Sequence, residues 1–333
     1  MKIAIHHNHD SFSQRWIEYC QEKEIEYIVI NAFDNDIITQ LKDFDILMWH
    51  HHHGQVKDIL AAKKILFALQ HAGIKVFPDF NTGWHFDDKV AQKYLLEAIG
   101  APLVPSYVFY DKEQALNWAI QTRYPKVFKL KGGAGATNVK LVKSYSQAKN
   151  LINQSFGRGF PQFDKYNHLK ESLLYKKISF HSVLKALYRI FISPEISRVI
   201  GKEKGYIYFQ DFIPNNSYDT RVVVIDGRFA TAEKRMVRKN DFRASGSGLF
   251  NYDDININII KNSFEIAKKL KLQSAAFDYI LDSDGNPLIV EICYGFGTSG
   301  IKLAPGYWDD NLNWYNKKFS PEDLIIESIM NTL

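Results

Sequence analysis

Two carboxylates in the last third of the chain could hold a metal ion. Residues 274–281 and 288–293 are predicted to form a hairpin, and a hairpin symmetric about its central turn places Asp278 opposite Glu291. Two carboxylates about 5 Å apart among apolar neighbours repel each other. A divalent cation would relieve that repulsion, and hard oxygen donors of this kind suit Mg²⁺ carrying nucleotide phosphates. The alternative is that a nearby lysine or arginine pairs with one of the two carboxylates.

The preceding hairpin supplies cations. They are Arg221, Lys234, Arg235 and Arg243. Guanidinium groups are the usual clamps for a phosphoryl group in transfer. Alternatively, these cations only neutralise Asp219, Glu233 and Asp241. A two-residue turn between the strands places Arg221 and Arg235 on opposite faces of the sheet, and a one-residue bulge would bring them together.

A glycine-rich loop lies between two β-rich runs at residues 126–130 and 139–142. It contains Gly132, Gly133 and Gly135. A strand follows this loop, whereas a Walker loop or a dinucleotide-binding fingerprint opens a helix. A glycine turn between antiparallel strands can fold over phosphates with its backbone N–H groups aimed inward. The alternative is an ordinary turn with no ligand.

Histidines occupy two loops near the start of the chain. Residues 1–82 alternate between short apolar runs and helical stretches, which predicts a parallel βαβ unit. Ligands bind at the carboxyl ends of such strands, and these ends carry the histidines of residues 6–9 and 50–53. Consecutive histidines cannot all point one way. Polar substrate contacts or solvent-exposed histidines are therefore favoured over a zinc site.

Length and composition limit the kinds of fold that can position these residues. The chain has 333 residues, of which 46% are hydrophobic and 24% charged, and this excludes a disordered or fibrous chain. We expect an α/β fold with α+β lobes, in three domains. These cover residues 1–82, 83–205 and 206–333. A helix over residues 87–99 opens the second domain, with Val90, Tyr94 and Ala98 on one face.

The net charge of +5 is unevenly spread along the chain. Residues 158–204 carry ten Lys and Arg against four Asp and Glu, which is +6 in that stretch. A helix predicted at residues 178–192 either packs into the core or attracts an anionic glycan, a lipid-linked precursor or an anionic membrane surface. The two cysteines exclude a disulfide framework, and no apolar run has spanning length. We expect a cytoplasmic protein with no nucleic-acid partner.

The order of these residues over about 75–300 resembles the ATP-grasp superfamily. The resemblance rests on Lys89 at a helix start, Lys129 before the glycine loop, Gln210 to Ile213, Asp219 with Arg221, Glu233 with Arg235, Asp241 with Arg243, Asp278 and Glu291. Within the superfamily the chain looks most like the RimK-like carboxylate–amine ligases. This implies an N-terminal pre-grasp domain followed by two lobes that clasp ATP.

The resemblance also implies roles for individual residues. The phosphates of ATP would meet Lys89, Lys129, Gly132, Gly133 and Gly135. Adenine would be received by Gln210, Asp211, Phe212 and Ile213, and ribose or substrate by Asp219. Catalysis would depend on Arg221, Arg235 and Arg243, and Mg²⁺ on Asp278 and Glu291. Where the family has Glu-x-Asn, this chain has Cys293 two residues after Glu291, and a thiol is a poor ligand for Mg²⁺.

The activity that the resemblance implies is ATP-dependent ligation. ATP would phosphorylate a carboxylate to an acyl phosphate, and an amine would then displace phosphate. The alternatives are a kinase that phosphorylates a hydroxyl and a non-catalytic nucleotide-binding protein. The segments at residues 292–296 and 305–312 resemble an ATP-grasp branch linked to surface-polysaccharide assembly, which implies a uronic acid or a polysaccharide precursor as the carboxylate.

Overall fold

The computed structural model describes residues 1–9, 11–132, 138–162, 195–238, 241–244 and 246–332. The chain forms two compact units. The first unit comprises Met1–Phe86, Leu96–Pro102 and Asn215–Leu333, and the second comprises Asp87–Leu95 and Leu103–Pro214. No helix among the described residues combines the length and the apolarity needed to cross a bilayer.

The N-terminal part of the first unit is a parallel sheet, as predicted. Its strands are β1 (Ile3–His6), β2 (Tyr27–Ile30), β3 (Ile46–Met48) and β4 (Lys75–Phe77), in the order β2-β1-β3-β4. The helices are α1 (Ser13–Glu22), α2 (Ile37–Gln40), α3 (Val56–His71) and α4 (Phe80–Gly83). Side chains alternate between the two faces of a strand, so Ile3 and Ile5 enter one core cluster and Ala4 enters another.

The second unit is built on an antiparallel sheet. Its helices are α5 (Lys89–Ala98), of which this unit holds Lys89 to Leu95, α6 (Lys112–Gln121) and α7 (Tyr145–Ser155). The sheet has the order β5-β10-β6-β7, with β5 (Ser106–Phe109), β6 (Lys126–Lys129), β7 (Lys140–Val142) and β10 (Ile207–Asp211). A short pair, β8 (Phe160–Pro161) and β9 (Lys202–Glu203), and helix α8 (Glu195–Val199) complete it. Phe128 and Phe209 lie in its core.

Two sequence-based predictions fall partly or wholly outside the described residues. The strands flanking the glycine loop, β6 and β7, pair antiparallel as predicted. Gly132 is described, but Gly133 and Gly135 are not. The helix predicted at residues 178–192 also lies outside the described residues.

A seven-stranded sheet dominates the C-terminal part of the first unit. Its strands are β11 (Tyr218–Ile225), β12 (Phe229–Met236), β13 (Phe250–Asn251), β14 (Ser274–Leu281), β15 (Pro287–Cys293), β16 (Tyr307–Asp309) and β17 (Trp314–Tyr315). The order is β15-β14-β11-β12-β16-β17, and β13 also pairs with β12. Helices α9 (Ile257–Leu270) and α10 (Pro321–Met330) belong to this part. Val223 and Ile225 of β11 share a core cluster with Ile3 and Ile5 of β1.

The face of α5 that carries Val90, Tyr94 and Ala98 is not its buried face. Tyr94 is 44% exposed and Ala98 is also exposed, whereas Lys89, Gln92 and Leu96 are buried. Two polar side chains therefore join Leu96 on the buried face, at helical spacing.

Candidate functional site

Six ionisable side chains share one face of the seven-stranded sheet. They are Asp219, Arg221, Glu233, Arg235, Asp278 and Glu291. Four of them form a row straight across β12, β11, β14 and β15, in which Glu233 is opposite Arg221, Arg221 opposite Asp278, and Asp278 opposite Glu291. Directly opposed residues point to the same face of a sheet. In the row of four, three carboxylates and one guanidinium therefore share that face.

The turn between β11 and β12 brings the two arginines to this face. Ile225 pairs with Phe229, so the turn has three residues rather than the two of an ideal hairpin turn. Asp226 and Gly227 have φ angles of 52° and 61°. The extra residue shifts the register by one, so Arg235 pairs with Asp219 and lies on the same face as Arg221. The third turn residue therefore has the effect expected of a one-residue bulge, which is to bring Arg221 and Arg235 to the same face.

The predicted pairing of Asp278 with Glu291 is confirmed, although the hairpin is not symmetric. The register shifts immediately after Asp278, where Tyr279 pairs with Ile289 and Val290 becomes the additional residue. Such a bulge lets the turn at residues 282–286 have its own length while the two carboxylates stay opposed.

Two guanidinium groups converge on Asp278. Arg221 binds it through both Nε and Nη2, at 2.8 and 2.9 Å, and Arg235 Nη2 adds a contact of 2.8 Å to Oδ2. Arg235 also binds Asp219 through Nε and Nη2, at 2.7 and 2.6 Å. Burial would raise the pKa of Asp278, but the two arginines hold it well below its ordinary value. Arginine pairing, left open from the sequence, therefore describes Asp278 in this structure.

The donor set around Asp278 still fits Mg²⁺. In the part of the chain that the structure describes, no three His, Cys, Asp or Glu side chains are grouped as a metal site. Mg²⁺ is usually held by one or two carboxylates together with phosphate oxygens of the substrate. A carboxylate has about four lone-pair sites, and the arginines use three on Asp278, one of them on Oδ1. Oδ1 therefore keeps acceptor capacity beside Glu291, which is half-buried.

Glu233, at the other end of the row, differs from its neighbours. It is 2% exposed, and its Oε2 has no hydrogen-bond partner among the described residues. Burial raises its pKa to about 7, despite the nearby charges of Arg221 and Arg235. The sequence suggested Glu233 only as an acid that the nearby cations neutralise, because only the three-residue turn reveals that it lies in the row.

Arg243 is bound next to its own position in the chain. Its Nη2 lies 2.7 Å from Asp241 Oδ2, and its Nε lies 2.8 Å from the same oxygen. Arginine pairing lowers the pKa of Asp241 although burial acts in the other direction. Local neutralisation, one of the two predicted alternatives, thus describes the Asp241–Arg243 pair.

In the second unit, Lys129 belongs to a buried polar network. Lys129 Nζ donates to Gln210 Oε1 at 2.6 Å, and Gln210 Nε2 donates to Ser106 Oγ at 3.1 Å. The Tyr208 hydroxyl also donates to Ser106, at 2.9 Å. Lys129 is 6% exposed. An ammonium so deeply buried is costly unless it is bound, and Gln210 holds it in a defined position.

The other predicted nucleotide residues of this unit lie at strand and helix ends. Asp88 Oδ1 accepts hydrogen bonds from the backbone of Val90 and Ala91 and so caps α5, and Lys89 N donates to Lys131 O at 2.9 Å. Asp211 ends β10 and binds Lys126 Nζ at 2.5 Å, and it is followed by the half-buried Phe212 and Ile213. A Cβ at Gly132 would lie 3.2 Å from an Asp87 carboxylate oxygen.

Sequence reasoning missed Ser106, Tyr208 and Gln92 as members of the polar interior. Two signals could have identified Tyr208 and Gln92. Tyr208 precedes Gln210 by two residues on one strand and so shares its face, and Gln92 follows Lys89 by one helical turn. Ser106 pairs with Gln210 across β5 and β10, which no local pattern indicates.

The histidines lie at the carboxyl ends of β1 and β3 as predicted. His6, His50 and His51 are buried, which excludes ordinary solvent exposure for these three. Phe12 N donates to His50 Nδ1 at 3.2 Å, so the ring proton of neutral His50 is on Nε2. Burial lowers the pKa of His50 to about 3. His50 is therefore a hydrogen-bond donor that stays neutral near pH 7.

Comparison with known proteins supports the ATP-grasp fold that the sequence resemblance implied. A family model described as the RimK-like ATP-grasp domain matches residues 191–306. Similar solved structures include a RimK domain ATP-grasp protein from Sphaerobacter thermophilus, with 14% identity, a TM-score of 0.59 and 99% of each chain covered. D-cycloserine synthetase has 13% identity and a TM-score of 0.60, also with 99% of each chain covered.

A third similar structure is the D-alanine–D-alanine ligase of Bacillus anthracis. It has 15% identity and a TM-score of 0.53, with 100% of this chain and 98% of that chain covered. A search of curated protein sequences found no match. The chain therefore has the ATP-grasp fold, and its residues 191–306 match the RimK-like ATP-grasp domain.

Proposed function

We propose that the chain is an ATP-dependent ligase that activates a carboxylate as an acyl phosphate and joins it to an amine. The observation that supports this most directly is the row of Glu233, Arg221, Asp278 and Glu291, with Arg235 and Asp219 beside it. It combines carboxylates suited to Mg²⁺ with guanidiniums suited to phosphoryl oxygens. No protein nucleophile is required for this chemistry.

The carboxylates and the cations would have different parts in the proposed reaction. Mg²⁺, held by Asp278 and Glu291, would neutralise phosphate charge when bound. Arg221 and Arg235 are fixed by their bidentate contacts, so they present oriented N–H donors without reorganising. They would bind the transferring phosphoryl group and then the acyl phosphate. Lys89 and Lys129 would bind the remaining ATP phosphates, and Gln210 to Ile213 would bind adenine.

We extend the proposal to the carboxylate, which we expect to belong to a uronic acid or a polysaccharide precursor. This extension rests on the sequence of the segments at residues 292–296 and 305–312. Activity on free glucuronic acid or on a uronic-acid oligosaccharide, but not on small aliphatic acids, would support it. The reverse preference would exclude it.

The reaction class can be tested with purified protein, ATP, Mg²⁺ and a pool of carboxylic acids labelled with heavy oxygen in the carboxylate. Hydroxylamine is added to capture an acyl phosphate as a hydroxamate. We expect ADP, a hydroxamate, and transfer of one labelled oxygen to the released phosphate. A kinase instead produces ADP with a phosphorylated hydroxyl and no hydroxamate. A non-catalytic binding protein produces no ADP, and either result would refute the proposal.

A further inference from the structure

Among the described residues, Glu233 is the one member of the charged row with a buried side-chain oxygen that has no hydrogen-bond partner. Arg221, its neighbour across β11 and β12, directs both of its contacts to Asp278 on the other side. The six residues of this face comprise four carboxylates and two guanidiniums, so arginine does not balance every acid. An unsatisfied buried acceptor is costly, and a ligand with N–H donors would remove that cost.

Gly300 makes room for this carboxylate. Its φ and ψ of −75° and −44° are ordinary helical values that any residue can adopt, so glycine is not required by the backbone. A Cβ at position 300 would lie 2.0 Å from Glu233 Oε2 and 2.7 Å from the Phe250 ring. The Tyr252 hydroxyl donates to Gly300 O at 2.7 Å and holds the segment in place. Any side chain at position 300 would therefore displace Glu233.

We propose that Glu233 binds the ammonium form of the amine substrate of the ligase and accepts one proton from it, which frees the nitrogen lone pair for attack. The amine nitrogen then forms a bond to the acyl carbon, and the bond from that carbon to the phosphate oxygen breaks. The electron pair of the broken bond leaves with the phosphate, which takes the second proton from nitrogen, while the first proton stays on the Glu233 carboxylate. This inference rests on the proposed function, and it adds the residue that receives the second substrate.

Charge and position favour an amine over the other ligands of the reaction. A carboxylate repels phosphate. Paired residues of neighbouring strands have Cα atoms about 5 Å apart, so a nitrogen held by Glu233 lies close to an acyl phosphate held by Arg221.

The charged and titratable groups around Glu233 are compatible with this role. They are Arg221, Arg235, Asp219, Asp278 and Tyr252. The two arginines lower the pKa of Glu233 and the two aspartates raise it, but burial is the largest influence. The resulting pKa of about 7 is that of a carboxyl group able to take up and release a proton near neutral pH.

The test compares two nucleophiles on the same variants. Wild type, Glu233→Gln and the control Glu322→Gln are given ATP, Mg²⁺ and the carboxylic-acid pool. The acceptor is either hydroxylamine, which is neutral near pH 7, or a mixture of ammonium chloride, the protein amino acids, polyamines and amino sugars, which are protonated. Glu322 is a suitable control because it is 3% exposed and pairs with Lys302, and it lies on α10 rather than on the charged row.

We expect Glu233→Gln to lose amide formation about 100-fold, the range expected for a lost proton acceptor, and to keep hydroxamate formation within about 3-fold. Glu322→Gln should keep both. The inference is overturned if folded Glu233→Gln loses both products equally, if it loses neither, or if wild type forms hydroxamate but no amide. Glu233→Asp, which keeps the carboxylate, should recover part of the amide formation. A wild type that forms neither product refutes the proposed function instead.

Discussion

At the scale of single residues, the burial and charge of Lys129 together favour the proposed contact with phosphate. Its ammonium is almost fully buried and has a contact to a neutral amide oxygen, that of Gln210. A buried cation gains more from a phosphate than from an amide because the anion offsets its charge. We therefore expect Lys129 to contribute strongly to the affinity for ATP.

Lys129→Ala should abolish ATP binding while the protein stays folded. The expected loss is more than about 100-fold in affinity, since hydrogen bonds to charged groups contribute about 1.5–3 kcal/mol each. Isothermal titration calorimetry with ATP measures it, and Lys143→Ala, an exposed lysine of the same unit, is the matched control. Unchanged affinity in folded Lys129→Ala would contradict the role.

Asp278 and Glu291 should respond differently to neutral substitution. Both Asp278→Asn and Glu291→Gln should lower turnover, because each removes a proposed Mg²⁺ ligand. Asp278→Asn should also destabilise the fold by about 3 kcal/mol, because it leaves the buried Arg235 and the half-buried Arg221 without their shared carboxylate. Glu291→Gln should cost less than about 1 kcal/mol. Chemical denaturation measures the difference, and equal losses for the two variants would contradict the assigned geometry.

Glu233 predicts a pH dependence of stability. Its pKa is raised from 4.5 to about 7 in the fold, so between these values the native state holds a proton that the unfolded chain has released. The contribution of Glu233 to stability is therefore full below about pH 4.5 and declines as the pH rises to about 7. Wild type should lose stability relative to Glu233→Gln between these pH values in urea titrations. A constant difference would show that the carboxyl titrates normally.

At the scale of elements, the pairing of the strands determines which site residues share a face. Alternation of apolar residues predicts β14 and β15, and counting from the turn predicts that Asp278 faces Glu291, as the structure confirms. The face of Arg235 could not be predicted. It depends on whether two or three residues form the preceding turn, and Asp226 adopts a positive φ that a non-glycine residue rarely adopts.

Cys293 lies two residues beyond Glu291 on β15 and therefore shares its face. A carboxamide oxygen is a harder donor than a thiol. Cys293→Asn should thus keep or increase the apparent affinity for Mg²⁺, measured as the Mg²⁺ concentration that gives half-maximal ATP turnover. Cys293→Ser is the matched control of similar size. Complete inactivity of Cys293→Ser would mean that the thiol has a role of its own.

At the scale of the whole molecule, charge is concentrated rather than spread. The stretch 158–204 carries +6, against +5 for the entire chain. We propose that this stretch attracts an anionic partner, either a charged glycan precursor or an anionic membrane surface. Such attraction is screened over about 8 Å at physiological salt.

This proposal predicts salt-dependent binding. Co-sedimentation with vesicles containing phosphatidylglycerol should be strong at low salt and should weaken steeply as salt rises, whereas neutral phosphatidylcholine vesicles should bind weakly throughout. The Michaelis constant for a charged glycan should rise in parallel. Reversal of Lys176, Lys177 and Lys185 to Glu should remove the dependence. If neither vesicle binding nor the Michaelis constant changes with salt or with charge reversal, the stretch has only a structural role.

The three-residue turn at residues 226–228 makes the site sensitive to chain length as well as to chemistry. Removing one residue there would leave all six ionisable side chains of the site present in the sequence, yet would turn Glu233 and Arg235 to the opposite face of β12. A homologue that keeps all six residues but has one residue fewer in this turn would therefore lack the row. Spacing between Arg221 and Arg235 is thus a better criterion than residue identity for deciding which related sequences share this chemistry.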